Sequence, residues 1–583
     1  MVVSVNTNHV QLEQSVTREG EFDDGEKRSV ITLSPQFSGD NAMNVLMIYP
    51  KFPDETFWNS ARSVKLLWSR KGIMPPLGLL TIASYLPGDF SVRLIDRNVS
   101  EESDADWEWA DVVFISLMMA QRENYSQCLA QAEIHRKPIA VGGPFTHALP
   151  EIACADADWV CFGEAETIMD EFVSDLRAGR RGKQYQGGSN TDMERVKIPR
   201  FELLPNVNDY ATMALQFSRG CPFRCEFCDI IEIYGRVPRT KTATQLCAEL
   251  TALKELGFRG YVFLVDDNFI GNRKKAKIML AELAVWNRAQ GYPFRYYTEA
   301  SINLADDDEL LERMAKAGFF HVFIGIETPD PKLLKTTLKM QNIPGNPLEK
   351  LTRIREKGIH ITAGFIVGFD GEEQGVFETQ KSFIHASGVG VAMVGLLQAI
   401  PHTQLSRRLK DEGRLLERLD VHGSLTVEGI NFIPKGKITK RQYFENYRGL
   451  VQEIYEPKAF FTRTLPALLR LRTNVPLLAL RRHGRTLFAV VAKEVYYLGF
   501  RHKAIRRHFW KTFLQLLWRN PVALEAFAFD TAVFHHLHRH AEYVQNELSR
   551  YLSSPSPDDV LDEVVAGHSS APPEIPNSSS GLI

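Results

Sequence analysis

The run Ser218-Arg219-Gly220-Cys221-Pro222-Phe223-Arg224-Cys225-Glu226-Phe227-Cys228 places three of the chain's seven cysteines within eight residues. A cubane iron-sulfur cluster normally takes four cysteine ligands. No fourth thiol lies near this run, so one iron of a cluster held here would be open to a small molecule. We therefore predict that Cys221, Cys225 and Cys228 are the protein ligands of a 4Fe-4S cluster.

Zinc binding is the main alternative use of these cysteines. A zinc ion prefers four ligands in a tetrahedron, and the next thiol, Cys247, lies in a helical pattern 19 residues further along the chain. A disulfide is the least favoured reading. The other cysteines, Cys128, Cys154 and Cys161, are scattered along the chain, as is usual for inert core thiols.

The length and charge of the chain limit the number of domains and the kinds of partner that we expect. At 583 residues it has room for about three or four domains, and its formal net charge of -2 argues against a nucleic-acid partner. We expect residues 1–40, which lack a secretory signal, and residues 553–583 to be disordered. No apolar run reaches the roughly 18 residues of a membrane-spanning helix. We expect a cytoplasmic protein, with peripheral contact to the inner membrane face as an option.

Residues 41–185 are predicted to form a Rossmann-like, flavodoxin-like domain. Short apolar strands are predicted at 44–49, 91–96, 111–116, 138–142 and 158–163, with helical stretches such as 77–86 and 125–135 between them. Such alternation indicates a doubly wound parallel sheet, in which ligands bind at the carboxyl ends of the strands. The candidate ligand-binding residues at those ends are Asp96, Asn98, Ser116, Gly142, Gly143, Gly163 and Glu164.

Residues 200–401 are predicted to form a partial parallel (β/α)6 barrel. Its strands are predicted at 214–217, 261–265, 294–299, 321–327, 361–368 and 391–397. Functional groups of such barrels lie on loops at the carboxyl ends of the strands. The candidates there are Asp266, Asp267, Glu299, Glu327 and the strand from Gly364 to Gly368.

Residues 402–552 are predicted to be mainly helical. Between residues 465 and 519 there are 12 Lys or Arg and one acid, Glu494, interleaved with Leu, Phe, Trp and Tyr. Basic and aromatic residues on apolar helices are typical of a surface that lies on an anionic membrane or covers an apolar substrate. The alternative is a helical cap whose charges face water.

The cluster motif, in an aromatic and glycine-containing loop, resembles that of the radical S-adenosylmethionine (SAM) enzymes, in which SAM chelates the fourth iron. The loops of the first domain resemble the cobalamin-binding domain that precedes many radical SAM domains. Over about 500 of the 583 residues the chain resembles cobalamin-dependent radical SAM enzymes. The phrases at 228–231, 234–239, 265–272 and 297–301 resemble the subgroup that contains hopanoid C-2 methylases.

The resemblance implies which residues bind the two organic cofactors. For SAM these are Phe227, Asp266, Asp267, Glu299, Glu327, Gly364 and Gly368, with Glu299 and Glu327 as partners of its ribose hydroxyls and ammonium. For cobalamin they are the sheet-edge residues named above, where paired glycines let the backbone approach the nucleotide tail. Many cobalamin-binding methyltransferases carry Asp-x-His-x-x-Gly, whose histidine ligates cobalt. This chain has Asp96-Arg97-Asn98-Val99-Ser100-Glu101 instead, so we expect no histidine lower ligand.

The implied activity is methylation of an unactivated carbon, with a hopanoid or another isoprenoid lipid as candidate substrate. In the family, one SAM methylates cobalamin and a second yields a 5'-deoxyadenosyl radical that removes the substrate hydrogen atom. Because that step needs no side-chain base, we assign no catalytic residue beyond the cluster ligands. The implied partners are an apolar small molecule and an external electron donor such as flavodoxin or ferredoxin.

Three other functions remain open. A cyclase or rearrangement enzyme with the same cofactors would transfer no methyl group and release no S-adenosylhomocysteine. A non-catalytic cobalamin or redox sensor would not cleave SAM under reduction. A methylthiotransferase acting on tRNA would need a second cluster, and Cys128, Cys154 and Cys161 are too scattered to favour it.

Overall fold

The structure is a computed structural model and describes residues 42–57, 59–416, 429–472 and 477–553. The disorder predicted for residues 1–40 concerns a segment outside the described residues. The same is true of the predicted tail from residue 554 onward, while Ser553 ends a helix. The predicted domain limits at 185, 200 and 401 stay predictions.

The first sheet has six parallel strands in the order β2-β1-β3-β4-β5-β6. Its strands are β1 Asn44–Tyr49, β2 Ser91–Asp96, β3 Val112–Ser116, β4 Ile139–Gly142, β5 Trp159–Phe162 and β6 Lys183–Gln186. The predicted doubly wound sheet is therefore confirmed, and β6 is an additional edge strand. The strand order reverses between β1 and β3, which is where ligands bind in sheets of this type.

Helices cover both faces of this sheet. They are α1 Ala61–Ser63, α2 Leu77–Ala83, α3 Asp104–Trp109, α4 Arg122–Ile134, α5 Pro144–Ala148, α6 Pro150–Asp156 and α7 Met169–Arg177. Along β1, Val45 and Met47 belong to one buried cluster, whereas Leu46 and Ile48 belong to another. Burial on both faces explains why these parallel strands are continuous apolar runs.

The second sheet also has six parallel strands, in the order β14-β13-β12-β11-β10-β7. They are β7 Thr212–Leu215, β10 Gly260–Leu264, β11 Phe294–Ala300, β12 Phe319–Glu327, β13 His360–Val367 and β14 Ala392–Leu396. A short antiparallel pair, β8 Ser218–Arg219 and β9 Arg239–Thr240, follows β7 in the chain. The two outer strands, β14 and β7, do not pair with each other, so the predicted partial barrel is confirmed.

Helices alternate with the strands of the second sheet. They are α8 Ile230–Ile233, α9 Ala243–Glu255, α10 Arg273–Ala289, α11 Asp308–Ala317, α12 Pro331–Thr336, α13 Pro347–Glu356, α14 Val376–Ser387 and α15 Gln404–Asp411. Side-chain caps begin several of them. Thr242, for example, accepts a hydrogen bond from the backbone N–H of Gln245 at 3.2 Å at the start of α9. The cluster run, residues 218–228, and the predicted carboxylates lie at the carboxyl ends of the strands of this sheet.

The C-terminal region is helical, as predicted. It consists of α16 Lys440–Ile454, α17 Pro457–Arg470, α18 Leu477–Glu494, the π-helical turn Val495–Arg501, α19 Arg506–Arg519 and α20 Leu524–Ser553. Helix α20 joins both sheets, because Glu525 pairs with Arg295 at 2.8 Å and His536 lies 2.9 Å from the carbonyl oxygen of Thr56. Among the described residues, no helix is both long and apolar enough to cross a membrane.

Candidate active site

The cluster run begins with β8 and is shaped by a close backbone approach. Gly220 has a φ of +91°, and a Cβ there would lie 3.0 Å from the carbonyl oxygens of both Gly235 and Val237. The N–H of Cys221 donates to the carbonyl oxygen of Gly235 at 3.2 Å. Only glycine fits at residue 220, because the positive φ and the crowding both disfavour a side chain.

Two predicted SAM contacts, Asp266 and Asp267, follow β10 and form hydrogen bonds with the backbone at the start of the cluster run. Asp266 accepts hydrogen bonds from the backbone N–H groups of Phe217 and Ser218 and from the Ser218 hydroxyl. Asp267 accepts one from the N–H of Gly220 at 3.1 Å. Burial raises the pKa of Asp266 to about 6 and that of Asp267 to about 7. The structure gives both carboxylates partners within the protein, so their contact with SAM stays a prediction.

The three thiols are free, and two of them receive hydrogen bonds from amide side chains. Cys221, Cys225 and Cys228 form no disulfide. The Nε2 of Gln341 donates to the Sγ of Cys225 at 3.5 Å, and the Nδ2 of Asn268 lies 3.9 Å from the Sγ of Cys221. No three His, Cys, Asp or Glu side chains in the described part of the chain are arranged to hold a single metal ion. Three free thiols, two of them with amide donors, are nevertheless a donor set suited to a thiolate-ligated cluster.

The outer side of the cluster run is fixed to the barrel by charge and aromatic contacts. Arg408, on α15, pairs with Glu226 at 3.0 Å and with Asp370, beyond the end of β13, at 2.8 Å. The ring of Phe227 packs against that of Phe369 with centroids 5.8 Å apart. The loop after β10 therefore holds the cluster run on one side, and α15 and the loop after β13 hold it on the other.

Glu299 carries the unpaired carboxylate at the mouth of the barrel. It is the last residue but one of β11, and no side-chain hydrogen bond or cation among the described residues acts on its carboxylate. Burial and the nearby carboxylates of Asp267, Asp266 and Glu327 raise the pKa of Glu299 to about 7. A half-buried carboxylate without a cation of its own fits a positively charged ligand, and SAM carries an ammonium and a sulfonium.

Glu327, the other predicted ribose or ammonium partner, already has a cation. Its carboxylate forms a buried ion pair with Lys339, whose ammonium lies 5.8 Å from the ring centroid of Phe227. The backbone of Glu327 has a φ of +64°, which is rare for a residue with a side chain and is concentrated at functional sites. A Cβ on Gly325 would lie 2.5 Å from the Glu327 carboxylate, so glycine makes room for this pair.

The two predicted glycines of β13 have different environments. A Cβ on Gly364 would lie 3.0 Å from the ring of Phe323 on the neighbouring strand, so Gly364 packs within the sheet. Gly368 follows the strand with a φ of +114°, and its N–H donates to the Glu372 carboxylate at 2.8 Å. Gly368 therefore shapes the turn at the mouth, whereas Gly364 supports the strand beneath it.

Small residues line the carboxyl edge of the first sheet, near the point where the strand order reverses. Gly143 has a φ of +92°, and a Cβ there would lie 2.8 Å from the Oγ of Ser116. A Cβ on Gly78, at the start of α2, would lie 3.9 Å from the same oxygen, and one on Gly142 would lie 3.7 Å from the Cβ of Cys161. Ser116, Gly142 and Gly143 leave half-buried backbone at the sheet edge without large side chains, which fits close approach of a large ligand such as the cobalamin nucleotide.

Asp96 and Asn98, predicted to contact cobalamin, bond mainly to the protein itself. Asp96 is buried and accepts hydrogen bonds from the Asn98 side chain at 2.7 Å and from the Tyr210 hydroxyl at 3.1 Å. The side-chain oxygen of Asn98 in turn accepts the N–H of Phe52 at 2.9 Å. These contacts connect the loops after β1 and β2, and any contact with cobalamin stays a prediction.

Gly163 and Glu164, the remaining predicted cobalamin residues, connect the first sheet to the second. A Cβ on Gly163 would lie 2.2 Å from the carbonyl oxygen of Gly187, so the two backbones touch. The fully buried Glu164 carboxylate accepts hydrogen bonds at 2.8 Å from Arg239 on β9 and from the N–H of Thr191. In this structure Glu164 therefore anchors the strand pair that carries the cluster run.

Lys339 and Gln341 are site residues that sequence reasoning missed. Both lie at the turn Met340–Asn342, between α12 and α13, more than 100 residues after the cluster run. The turn has no periodic pattern and no recognisable motif. The one sequence feature that could have indicated these residues is their position in the loop region after the barrel strand that ends at Glu327.

Comparison with known proteins decides the family. Residues 64–173 match the B12 binding domain, residues 215–379 match the radical SAM superfamily, and residues 403–550 match a domain of unknown function, DUF4070. A hopanoid C-2 methylase of Rhodopseudomonas palustris is 33% identical over 86% of this chain and 94% of its own. The chain belongs to the cobalamin-dependent radical SAM enzymes.

Further relatives of this radical SAM enzyme agree with that assignment. An uncharacterized methyltransferase of Synechocystis sp. is 38% identical over 90% of this chain and 97% of its own. The solved structure of the cobalamin-dependent SAM radical enzyme OxsB, with aqua-cobalamin and SAM bound, is 15% identical, with a TM-score of 0.55 over 90% of this chain and 83% of that chain. The predicted family, fold class and three cofactors, a 4Fe-4S cluster, SAM and cobalamin, are confirmed.

Proposed function

We propose that this enzyme is a C-methyltransferase acting on an unactivated carbon of a hopanoid or another isoprenoid lipid. The observation that carries the proposal is the likeness to the hopanoid C-2 methylase, which extends over 94% of that relative and therefore includes its C-terminal region. The relative named an uncharacterized methyltransferase supports methyl transfer as the reaction class.

The protein's contribution is to hold three cofactors next to one another. Cys221, Cys225 and Cys228 would hold the cluster, Glu299 would bind the cationic part of SAM, and the small-residue edge around Gly143 would receive cobalamin. When bound, the cluster and SAM supply removal of a hydrogen atom, and cobalamin supplies a methyl group. The ion pair between Glu164 and Arg239 fixes the first sheet against the cluster run and so keeps the two cofactor sites in a constant relative position.

The carboxylates at the barrel mouth serve binding and orientation in this proposal. Their raised pKa values show that burial opposes their charge, and a cationic ligand would offset that cost. Lys339 neutralises Glu327, so Glu299 is the carboxylate left to recognise SAM. None of these carboxylates needs to remove a proton, because the substrate carbon is unactivated.

The proposal includes two partners and a location. The cluster must be reduced by an external electron donor such as flavodoxin or ferredoxin. The substrate class is apolar and resides in membranes, which favours a cytoplasmic enzyme that contacts the inner membrane face peripherally. The basic helical region between residues 465 and 519 is the part of the chain suited to that contact.

Comparative mass spectrometry of lipid and polar extracts from the host, with and without the gene, tests the function. We expect loss of a lipid that is one methylene heavier than a retained partner. Loss of a polar metabolite with unchanged lipids would contradict the lipid substrate.

Turnover of the purified, reduced holoenzyme with the accumulated precursor separates the remaining functions. Release of both S-adenosylhomocysteine and 5'-deoxyadenosine is expected for methyl transfer. Product without S-adenosylhomocysteine would identify a cyclase or rearrangement enzyme, and failure to cleave SAM would identify a sensor.

A further inference from the structure

Large apolar side chains are exposed on the C-terminal helices. Trp518 is 82% exposed, Phe488 75% and Phe500 62%. Tyr496, Leu514 and Leu517 are also at least half exposed. We call these six residues, together with the neighbouring lysines and arginines, the basic apolar face. Single exposed apolar residues are common on soluble proteins. Six within 31 consecutive residues are unusual and indicate an interaction site.

Helix α19 shows that part of this face is a continuous stripe. The helix buries Phe509, Thr512 and Leu516 against its neighbours. At 100° per residue, the opposite side carries Arg507, Lys511, Leu514 and Trp518, all of which are exposed. Two cations followed by two apolar side chains thus share one exposed stripe of α19.

The π-helical turn extends the face towards α18. The ring of Phe500 packs on that of Trp510 in α19 with centroids 5.4 Å apart. Tyr496 lies four residues before Phe500, and Phe488 lies two turns earlier on α18. The exposed aromatic residues thus lie on three successive elements, of which the π-helical turn and α19 pack together through Phe500 and Trp510.

The charged residues of this segment are almost all of one sign. Glu494 is the one acid between residues 465 and 519, against 12 Lys or Arg, and it is buried, where it accepts a hydrogen bond from the Thr531 hydroxyl at 3.0 Å. Arg506 and Arg507 occupy the first turn of α19, where cations oppose the helix dipole. Helix stability therefore does not explain these arginines.

We propose that the basic apolar face docks on the surface of an anionic lipid bilayer. Aromatic and leucine side chains insert at the level of the headgroups, and the surrounding lysines and arginines bind lipid phosphates. A symmetric pairing of two copies through this face would bring cations against cations, since a two-fold interface places the same patch on both partners. The inference deepens the proposed function, because a bilayer is where its lipid substrate resides, but the docking itself needs no cofactor.

Flotation of the full-length protein with vesicles tests the inference. We expect binding to phosphatidylglycerol-containing vesicles at low salt, weak binding to pure phosphatidylcholine vesicles, and release at high salt. Trp518→Ser with Phe500→Ser, and separately Arg507→Glu with Lys511→Glu, should each lower partitioning by about tenfold or more. Val285→Ser, at a position 71% exposed on α10, and Lys316→Glu, exposed on α11, are the matched controls and should bind like the wild type.

Several outcomes would overturn the docking surface. They are absence of vesicle binding, equal binding to both lipid compositions, or face variants that float like the wild type. A self-association in solution that Trp518→Ser abolishes would assign the face to a second copy. Circular dichroism and SAM cleavage in solution establish that each variant is folded. Because vesicle binding is measured without substrate, failure of methyl transfer would leave this result unchanged.

Discussion

The side chain of Gln341 donates a hydrogen bond to the Sγ of Cys225 at 3.5 Å, although the two residues are 116 positions apart in the chain. The contact is buried, and the other amide atom of Gln341, its Oε1, has no partner within the described part of the protein. An N–H group directed at a ligand thiolate stabilises negative charge on the sulfur. Since reduction adds an electron to the cluster, this amide favours the reduced state.

Gln341→Leu should make the cluster harder to reduce. Loss of a hydrogen bond worth about 1 kcal/mol corresponds to roughly 40 mV for a one-electron couple, so we expect a more negative potential by that order. A redox titration of the reconstituted protein, followed by electron paramagnetic resonance, measures it. Gln127→Leu, at an exposed position on α4, is the control. An unchanged potential with an intact cluster would assign Gln341 a purely structural role.

SAM affinity should depend on pH through Glu299. Its pKa of about 7 means that the carboxyl is mostly protonated at pH 6 and mostly ionised at pH 8 in the ligand-free protein. Because a cationic ligand prefers the carboxylate, affinity should rise by up to about tenfold between these values. Anaerobic equilibrium dialysis with labelled SAM measures the dissociation constant at each pH.

Glu299→Gln supplies the comparison for that pH profile. The amino group of SAM titrates in the same range, but it does so equally for the wild type and the variant. We therefore expect weaker binding at pH 8 and a flatter profile for Glu299→Gln. Parallel profiles for the two proteins would contradict the role of Glu299 in recognising SAM.

The same substitution should have the opposite effect on stability. A carboxyl whose pKa rises from 4.5 to about 7 on folding lowers stability progressively as the pH rises above 4.5, so the cost is small at pH 5 and almost fully present at pH 8. We expect ligand-free Glu299→Gln to melt higher than the wild type at pH 8, by at most a few kcal/mol in unfolding free energy, and nearly equally at pH 5. Scanning calorimetry at both values checks it, and a lower melting temperature at pH 8 would contradict the unpaired state of Glu299.

The strands could be predicted from the sequence because both sheets are parallel and covered by helices, which makes each strand a continuous apolar run. Strand β6, Lys183–Gln186, was missed because it lies at the edge of its sheet and lacks such a run. It pairs on one side with β5, and Tyr185 is its one buried residue, so its sequence is mostly polar. An edge strand of this kind resembles a loop in composition.

The site could be predicted by position but not by contact. Asp266 and Asp267 do lie at a strand end beside the cluster run, as the barrel pattern indicates. Their acceptance of backbone N–H groups from residues 217–220 depends on how that run turns back over β10. The pairing of Glu327 with Lys339 likewise depends on an irregular turn, which carries no periodicity. Hydrogen bonds between distant loops therefore require the structure.

Gly143→Ala should weaken cobalamin binding. Alanine at this position would have to adopt a φ of +92°, and its Cβ would lie 2.8 Å from the Oγ of Ser116 and 2.9 Å from the carbonyl oxygen of Leu117. The backbone must move, and the sheet edge proposed to receive cobalamin moves with it. We expect at least about a tenfold loss of affinity, since a close-approach site tolerates little displacement. Absorbance titration with cobalamin under anaerobic conditions measures the loss.

Gly182→Ala separates backbone strain from crowding in that experiment. Gly182 lies in the same part of the chain and has a φ of +73°, and a Cβ there would have no heavy atom within 4 Å. Alanine there meets the same conformational penalty as at residue 143 without obstructing the sheet edge, so both variants should lose some thermal stability while Gly143→Ala alone loses cobalamin. Equal cobalamin affinities for the two variants would show that the edge formed by Ser116, Gly142 and Gly143 does not contact the cofactor, and the cobalamin site would then have to be sought along the loops after β1 and β2.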